Sequence, residues 1–493
     1  MSRLGRNSAA LMFAVLSSGL LGWLQLKWLA VHLGAAGLGS FAVLFSCGSV
    51  LTLLVQSGRA LLVTRWVAAL EADGRPAPAA RLALASFAAT AVSGVAACVA
   101  AFGLPAALEG AWAPLAGTRA ALPWVALFFA ATAARGVLYS VWNGRRRMER
   151  PALVEMLQLT SVTLRLYAGP PLDLAGFFLW NAGTSLMATA ICAAWILPGV
   201  VKTAFGSDGG RLEPAESREV RSYGAWSLLV SATGIGFDYA DRLVVAERLG
   251  ALDVSFFHVP ARWLQFVRRL LAQPLSALFP ELARGPLGER RAAFHAFVEI
   301  SSLMSLGAGL ALALSPGAFI RLLASPAFDR GIPILRVLAL VPPLMALYAP
   351  LTTALRAGGS MRQGAVSDLV WVGTYLGFGA LALGRMGALG LAAGQVIASL
   401  AALAWNLRAG RAQDRMGLPW AALARQWALA AVALGAGWLA PGGETGWWRA
   451  LLGCAVFAAA AGPLGAISPA ARTQIRSRLP ERMRPVFSRL AGS

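Results

Sequence analysis

Apolar runs of roughly 20 residues, the length that carries a helix across a hydrocarbon core of about 30 Å, recur along the whole chain between short polar segments. They lie near residues 10–31, 38–57, 82–104, 120–142, 152–170, 174–197, 223–246, 254–280, 297–320, 333–355, 364–384, 387–407, 420–440 and 446–467. The pattern predicts an all-α polytopic membrane protein of about 14 transmembrane helices. The runs are continuous and rich in Ala, Leu and Gly, whereas the strands of a membrane barrel would alternate apolar and polar positions. The first run is too long for a secretion signal, and no small-residue cleavage site follows it, so it reads as a retained helix.

Composition agrees with this pattern. The chain has 493 residues, 58% hydrophobic and 13% charged, with a mean hydropathy of +0.64. The charged share is about half that of a soluble globular domain.

The net charge of +21 raises the question of nucleic acid, and the placement of the basic residues answers it. Lys and Arg crowd the N-terminus (Arg3, Arg6) and every second loop: Arg59 to Arg81, Arg145 to Arg150, Lys202 to Arg221, Arg284 to Arg291, Arg356 with Arg362, Arg408 to Arg415, and the tail from Arg472 to Arg489. This alternation is the positive-inside pattern, which places both termini in the cytoplasm and makes the helix count even. The excess charge is a topology signal with some attraction to anionic lipid, and no nucleic-acid partner is expected.

Catalytic chemistry finds little support. Cys47, Cys98, Cys192 and Cys454 lie singly within separate spans, and His32, His258 and His295 are scattered, so neither a metal site, a cofactor site nor a nucleophilic triad is expected. The outer loops are short, which argues against a membrane-embedded glycan polymerase or ligase.

Sliding the chain along itself uncovers a repeat. "LGAAGLGSFAV" (Leu33 to Val43) overlies "LGALDVSFFHV" (Leu249 to Val259), each at the outer turn between the first two helices of a six-helix block. This predicts two pseudo-symmetric six-helix lobes, residues 1–200 and 223–410, around a central cavity, joined by a cytoplasmic linker at 201–222. Two further helices follow at 411–470, then a basic tail at 471–493. Parallel repeats of this kind build transporters whose substrate site lies between the halves.

The run "DYADRLVVAERLGALDVSFFHVPARWLQFVRRLLAQPLSALFPELAR" resembles the seventh and eighth helices of Wzx-type polysaccharide exporters of the multidrug/oligosaccharidyl-lipid/polysaccharide (MOP) superfamily. The matching features are Asp241, the Leu249-Gly250 turn, the aromatic start at Phe256 and Phe257, and the helix closing on Phe279 to Glu281. "LGAAGLGSFAV" is similar to the family's first outer turn, and "RMGALGLAAGQVIASL" from Arg385 to its turn into the twelfth helix. His258 departs from the family, which most often has a small or apolar residue there. The resemblance implies a flippase of the bacterial inner membrane that moves an undecaprenyl-diphosphate-linked glycan, with a polysaccharide polymerase and glycosyltransferases as further partners. A peptidoglycan-precursor flippase and a multidrug exporter of the same superfamily stay open.

Ionisable residues inside the spans are the candidate functional groups, because each costs roughly 2.5–3.5 kcal/mol near mid-bilayer unless it meets a partner or a hydrated cavity. Asp238, Asp241 and Arg242 crowd one turn of the seventh span. Either an internal salt bridge that lets the helix insert, or a cavity face that gates or couples transport, accounts for them. In the eighth span Arg262, Gln265, Arg269 and Gln273 form a polar stripe with Arg268 beside it. The planar fork of Arg suits a diphosphate, although Arg268 and Arg269 near an interface would simply snorkel. In the first half the candidates for substrate binding are Lys27 with Gln25, Arg135, Arg165, and Asn181 with Thr184 and Ser185. Trp180 and Trp263 stand beside these stripes. Neither Asp nor Glu occurs from Met1 to Leu70, so the first half offers more cations than anions, which favours an anionic substrate over a cationic drug.

Overall fold

The computed structural model describes residues 3–145, 147, 149–206, 212–283, 287–357, 361–413, 417–441, 443–463, 465–469 and 472–473. The chain divides into two compact units, Met1–Ser255 and Phe256–Ser493. The described residues are helical throughout both, with neither strand nor sheet among them.

The first unit holds α1 (Arg3–His32), α2 (Gly34–Gln56), α3 (Arg59–Ala72), α4 (Pro76–Gly103), α5 (Pro105–Ala111), α6 (Leu122–Gly144), α7 (Glu149–Ala168), α8 (Leu174–Phe205), α9 (Pro214–Asp238) and α10 (Ala240–Leu249). Then α11 (Ala251–Ala283) leads into the second unit. That unit continues with α12 (Leu287–Leu314), α13 (Pro316–Leu323), α14 (Ile332–Leu338), α15 (Val341–Ala357), α16 (Met361–Met386), α17 (Ala388–Gln413), α18 (Trp420–Leu439) and α19 (Trp448–Ala461).

Each expected span falls on one of these helices or on a broken pair. The protein is an all-helical, multi-pass membrane protein. Seven described helices qualify as crossings by length and hydropathy alone, or eight if the bent pair Pro326–Leu338 and Val341–Arg356 counts as one. Three of the other expected spans fall on helices that fail such a test for visible reasons: α7 carries Glu149, Arg150, Glu155 and Arg165, the seventh span is split, and α19 has only 14 residues. The lipid-facing surface is explicit along α4, where Val92, Val95 and Val99 are 63–70% exposed at helical spacing, a surface no soluble protein would leave bare.

Prolines set the breaks in the second unit. The expected span 297–320 is interrupted at Ser315, before Pro316, and the span 333–355 bends by 43° ahead of Pro342 and Pro343. A proline cannot donate the helical hydrogen bond, so the chain bends at these points. Two helices lie outside the expected spans, the short α5 and α3, into which the basic loop after the second span folds. Its Leu62, Val63, Trp66 and Val67 enter a core with Ala79 and Ala83 of α4, Val137 and Val141 of α6, and Cys192 and Ile196 of α8. The polar rim of this region is tied by ion pairs, Arg145 to Glu71 at 2.8 Å and Arg65 to Glu219 at 3.2 Å. Arg75 forks onto Glu216, with Nη2 to Oε2 at 3.1 Å, and this hydrogen bonding holds the Glu216 carboxyl below its usual range.

The repeat is visible in backbone geometry. Gly34 and Gly250, equivalent on the sequence alignment, both take the left-handed conformation, with φ of 65° and 90°, and each separates two helices. The equivalent pairs Leu38 and Val254, Phe41 and Phe257, and Val43 and Val259 are all buried. Within the first unit, Gly39 lies so close to the chain that a Cβ there would sit 1.8 Å from the Ala251 carbonyl oxygen. Gly39→Ala therefore forces two helices apart and is expected to cost about 1–3 kcal/mol. Gly22→Ala, where a Cβ meets nothing within 4 Å, should be neutral. Thermal unfolding in detergent checks the pair, and equal stability of the two variants would refute the close contact.

Candidate functional site

In the first unit Arg135 projects from the middle of α6 and is 6% exposed. Its Nη1 donates to Ser185 Oγ on α8 at 3.4 Å, its guanidinium lies 5.7 Å from the Tyr139 ring, and Ser185 also pairs with Thr132 at 3.1 Å. No carboxylate partners Arg135 among the described residues. A buried guanidinium answered only by a hydroxyl and a ring face leaves a locally positive site, since neither neighbour supplies a full negative charge.

The seventh span is built differently. Its helix stops at Asp238 and restarts at Ala240, with Tyr239 at φ −140° and ψ −26°. A break inside a membrane frees carbonyls that water cannot reach. Arg242 meets that need by donating to the main-chain carbonyl of Asp238, while its Nη1 stands 3.0 Å from Asp241 Oδ1. Arg242 and Asp241 are each 1% exposed, and the Arg242 guanidinium also covers the Tyr239 ring at 5.6 Å. Asp238 is half-buried. The three charges expected on one continuous helical turn instead straddle a break, and the cation closes it.

In the second unit Arg262 and Gln265 come together, with Nη1 to Oε1 at 3.4 Å. His258 joins them: its Nε2 accepts from Arg262 Nε at 3.3 Å, and its side chain is 1% exposed. Sequence reasoning treated His258 only as a local packing oddity; its spacing of four from Arg262 on one helix was the signal available. Arg269 is exposed, whereas Arg268 lies 5.8 Å from the buried Trp371 ring. The side chains of Gln273 and of Phe279 to Glu281 lie outside the described residues, as do residues 474–493 of the tail. Trp263 is a packing residue, donating to the Phe319 carbonyl at 2.9 Å.

The remaining candidates lie elsewhere. Lys27 is exposed near the end of α1, and Gln25 fastens α1 to α7 through Thr163 Oγ1 at 3.0 Å. Arg165 sits in the last turn of α7, where it donates to the Pro170 carbonyl at 3.0 Å and faces the Trp180 ring at 5.7 Å. Those two residues line a cavity of about 540 Å³ whose other walls include Leu157 and Leu164. Asn181 and Thr184 bond within their own helix. Among the described residues no group of His, Cys, Asp and Glu is placed to hold a metal ion.

Comparison with known proteins now decides the family. The model of the family described as "Polysaccharide biosynthesis protein" matches residues 4–285. The chain belongs to that family. A search of curated protein sequences finds no match. Among solved structures, the lipid II flippase MurJ in an inward closed conformation superposes with a TM-score of 0.66 at 12% identity, covering 92% of this chain and 96% of that one. Inward-facing and outward-facing conformations of a multidrug resistance MATE family transporter of the MOP superfamily give TM-scores of 0.62 and 0.59. Their identities are 12% and 15%, with coverage of 81% and 86% of this chain and 98% and 96% of those. The chain thus shares its fold with MurJ and with the MATE transporters.

The buried pair at the helix break yields a stability test on this protein. Arg242→Met leaves Asp241 without its cation in a dry site and should cost about 3–5 kcal/mol. Asp241→Asn combined with Arg242→Met should recover much of that loss. Unfolding followed by Trp fluorescence in detergent reads the cycle, and additive losses in the double variant would rule out the coupling.

Proposed function

We propose that this transporter flips an undecaprenyl-diphosphate-linked oligosaccharide from the cytoplasmic to the outer leaflet of the bacterial inner membrane for surface polysaccharide assembly, such as O-antigen or exopolysaccharide. The observation that carries the reading is Arg135, buried inside a span with no carboxylate partner among the described residues. A group held that way costs stability unless an anion visits it, and a diphosphate is the anion that the family's role in polysaccharide biosynthesis brings to the membrane. MurJ, which shares the fold, is a lipid II flippase, and its existence supports use of the fold for lipid-linked substrates.

Both termini lie in the cytoplasm on this reading, because the loops rich in Lys and Arg alternate with loops poor in them. The lobes 1–200 and 223–410 rock to change access, and the break at Tyr239 gives the seventh span a place to pivot. The lipid tail stays in the bilayer throughout. A polymerase and glycosyltransferases act before and after this step.

A multidrug exporter is the competing reading, since MATE transporters share the fold. The balance of charge favours the glycan. The first 70 residues contain no acid, and the buried Asp241 is already answered by Arg242 at 3.0 Å, which leaves little to attract a cationic drug.

The test is lipid extraction from cells with and without the gene. Loss should cause a diphosphate-linked oligosaccharide to accumulate on the cytoplasmic leaflet, and the intact gene should reverse it. Arg135→Gln should fail to complement at normal protein abundance, reducing export by about two orders of magnitude if the contact contributes roughly 2–3 kcal/mol to the rate-limiting state. Unchanged glycolipids together with raised sensitivity to cationic dyes would favour the exporter instead.

A further inference from the structure

A second cavity, also of about 540 Å³, lies in the second unit between the first turns of α12, the start of α18 and the segment that follows α19. Its floor is firmly built. Glu299 of α12, 2% exposed, accepts from the Ser468 main-chain N–H at 2.8 Å. The fully buried Gln426 of α18 donates to the Glu299 and Ala466 carbonyls at 3.0 and 2.8 Å. These bonds pin the chain after α19 against both helices, so the hollow is a feature of the fold.

The charges around it have a definite order. Arg291, His295 and Glu299 follow one another at intervals of four along α12 and all line the cavity, so they run from the helix start inward. The end nearest the start of α12 carries Arg291, and Arg425 of α18, exposed in the same lining, donates to the Gly465 carbonyl at 3.3 Å. His295 is half-buried and bonded to the Gly417 carbonyl at 2.7 Å. The inner end is anionic, with Glu299 alone. Trp420, 55% exposed at the start of α18, marks the membrane boundary, and beyond it the α18 surface exposes Val432 and Leu439 at 65% and 87%.

A purely anionic ligand would be drawn to the arginines and repelled by Glu299, and a purely cationic one the reverse. A zwitterion whose phosphate precedes its ammonium satisfies both ends, and acyl chains attached to that phosphate would run along the apolar face of α18. We propose that this cavity binds the headgroup of an aminophospholipid, with phosphate on Arg291 and Arg425 and the primary ammonium on Glu299. The site is separate from the residues proposed to handle the transported glycan, and its occupancy stands or falls independently of that substrate.

Native mass spectrometry of the full-length protein in detergent tests it. Phosphatidylethanolamine, phosphatidylcholine and phosphatidylglycerol with identical acyl chains would be added in turn, and soluble phosphoethanolamine used as competitor. Phosphatidylethanolamine should bind about tenfold more tightly than the other two, because only it offers both the phosphate and hydrogen-bonding ammonium donors. Glu299→Gln keeps an acceptor for Ser468 and should abolish the preference over phosphatidylcholine. Arg425→Gln, at the exposed rim where folding is not at stake, should weaken all three lipids several-fold. Competition by phosphoethanolamine at millimolar concentration would place recognition in the headgroup, whereas no competition would assign the binding to acyl chains and overturn the proposal. Equal binding of phosphatidylglycerol, or a preference that survives Glu299→Gln, would overturn it as well.

Discussion

The structure depends on one constraint: inside the bilayer a main-chain or side-chain polar group finds no water, so it must find a partner within the protein. Helices answer it for the backbone, and small hydroxyl residues answer it for themselves. Ser46, Ser49, Thr90, Ser140 and Thr189 each bond the carbonyl four residues earlier, at 2.7–2.8 Å. Gln25, Asn406 and Gln426 go further and bond between helices, so the requirement for satisfaction also becomes a source of specific packing. The same rule limits where a helix stops. The breaks at Ser315 and ahead of Pro342 each precede a proline, but the break at Tyr239 has no proline, and there an arginine supplies the missing donor.

That rule also separates two buried arginines that look alike in sequence. Arg242 and Arg135 are both at least nine-tenths buried and both occupy apolar segments. Arg242 has a carboxylate at 3.0 Å and a freed carbonyl to fill, so its cost is offset within the fold and its role is explained by the shape of the chain. Arg135 has a hydroxyl and a ring face and leaves positive potential without an internal answer. Stability alone gives no reason to keep such a group. For that reason the proposed phosphate contact rests on Arg135 rather than on the denser cluster of charges in the seventh span.

Much of the architecture was legible because the signals are large. A run of twenty apolar residues has few alternatives as a helix, and the glycines of the two Leu-Gly turns, Gly34 and Gly250, both take a positive φ. What escaped the sequence was local. Helix α3 was hidden because Arg59 and Arg65 gave its segment the look of a basic loop, although Leu62, Val63, Trp66 and Val67 recur at helical spacing and form a buried face. The break at Tyr239 was hidden because Asp238 and Arg242 fit the spacing of an unbroken helical pair. His258 was read only as a departure from the family pattern, although its distance of four from Arg262 places the imidazole beside the guanidinium.

The candidate site was less legible than the fold for a physical reason. Sequence spacing says which side chains share a helix face, but depth and the identity of the neighbour decide what a charge does there. Arg269 and Arg268 differ by one position; the first is exposed and the second faces the Trp371 ring. Arg165 reads as an intramembrane cation until its helix is seen to end three residues later, where it caps the chain at Pro170. Once such terminal roles are removed, the cations left deep within helices are Arg135 and Arg262. Arg135 has a hydroxyl and a ring face beside it, and Arg262 is oriented by His258 and Gln265. A positive group fixed in place but not neutralised is what an anionic headgroup requires, and it is what a transporter of cations would be expected to lack.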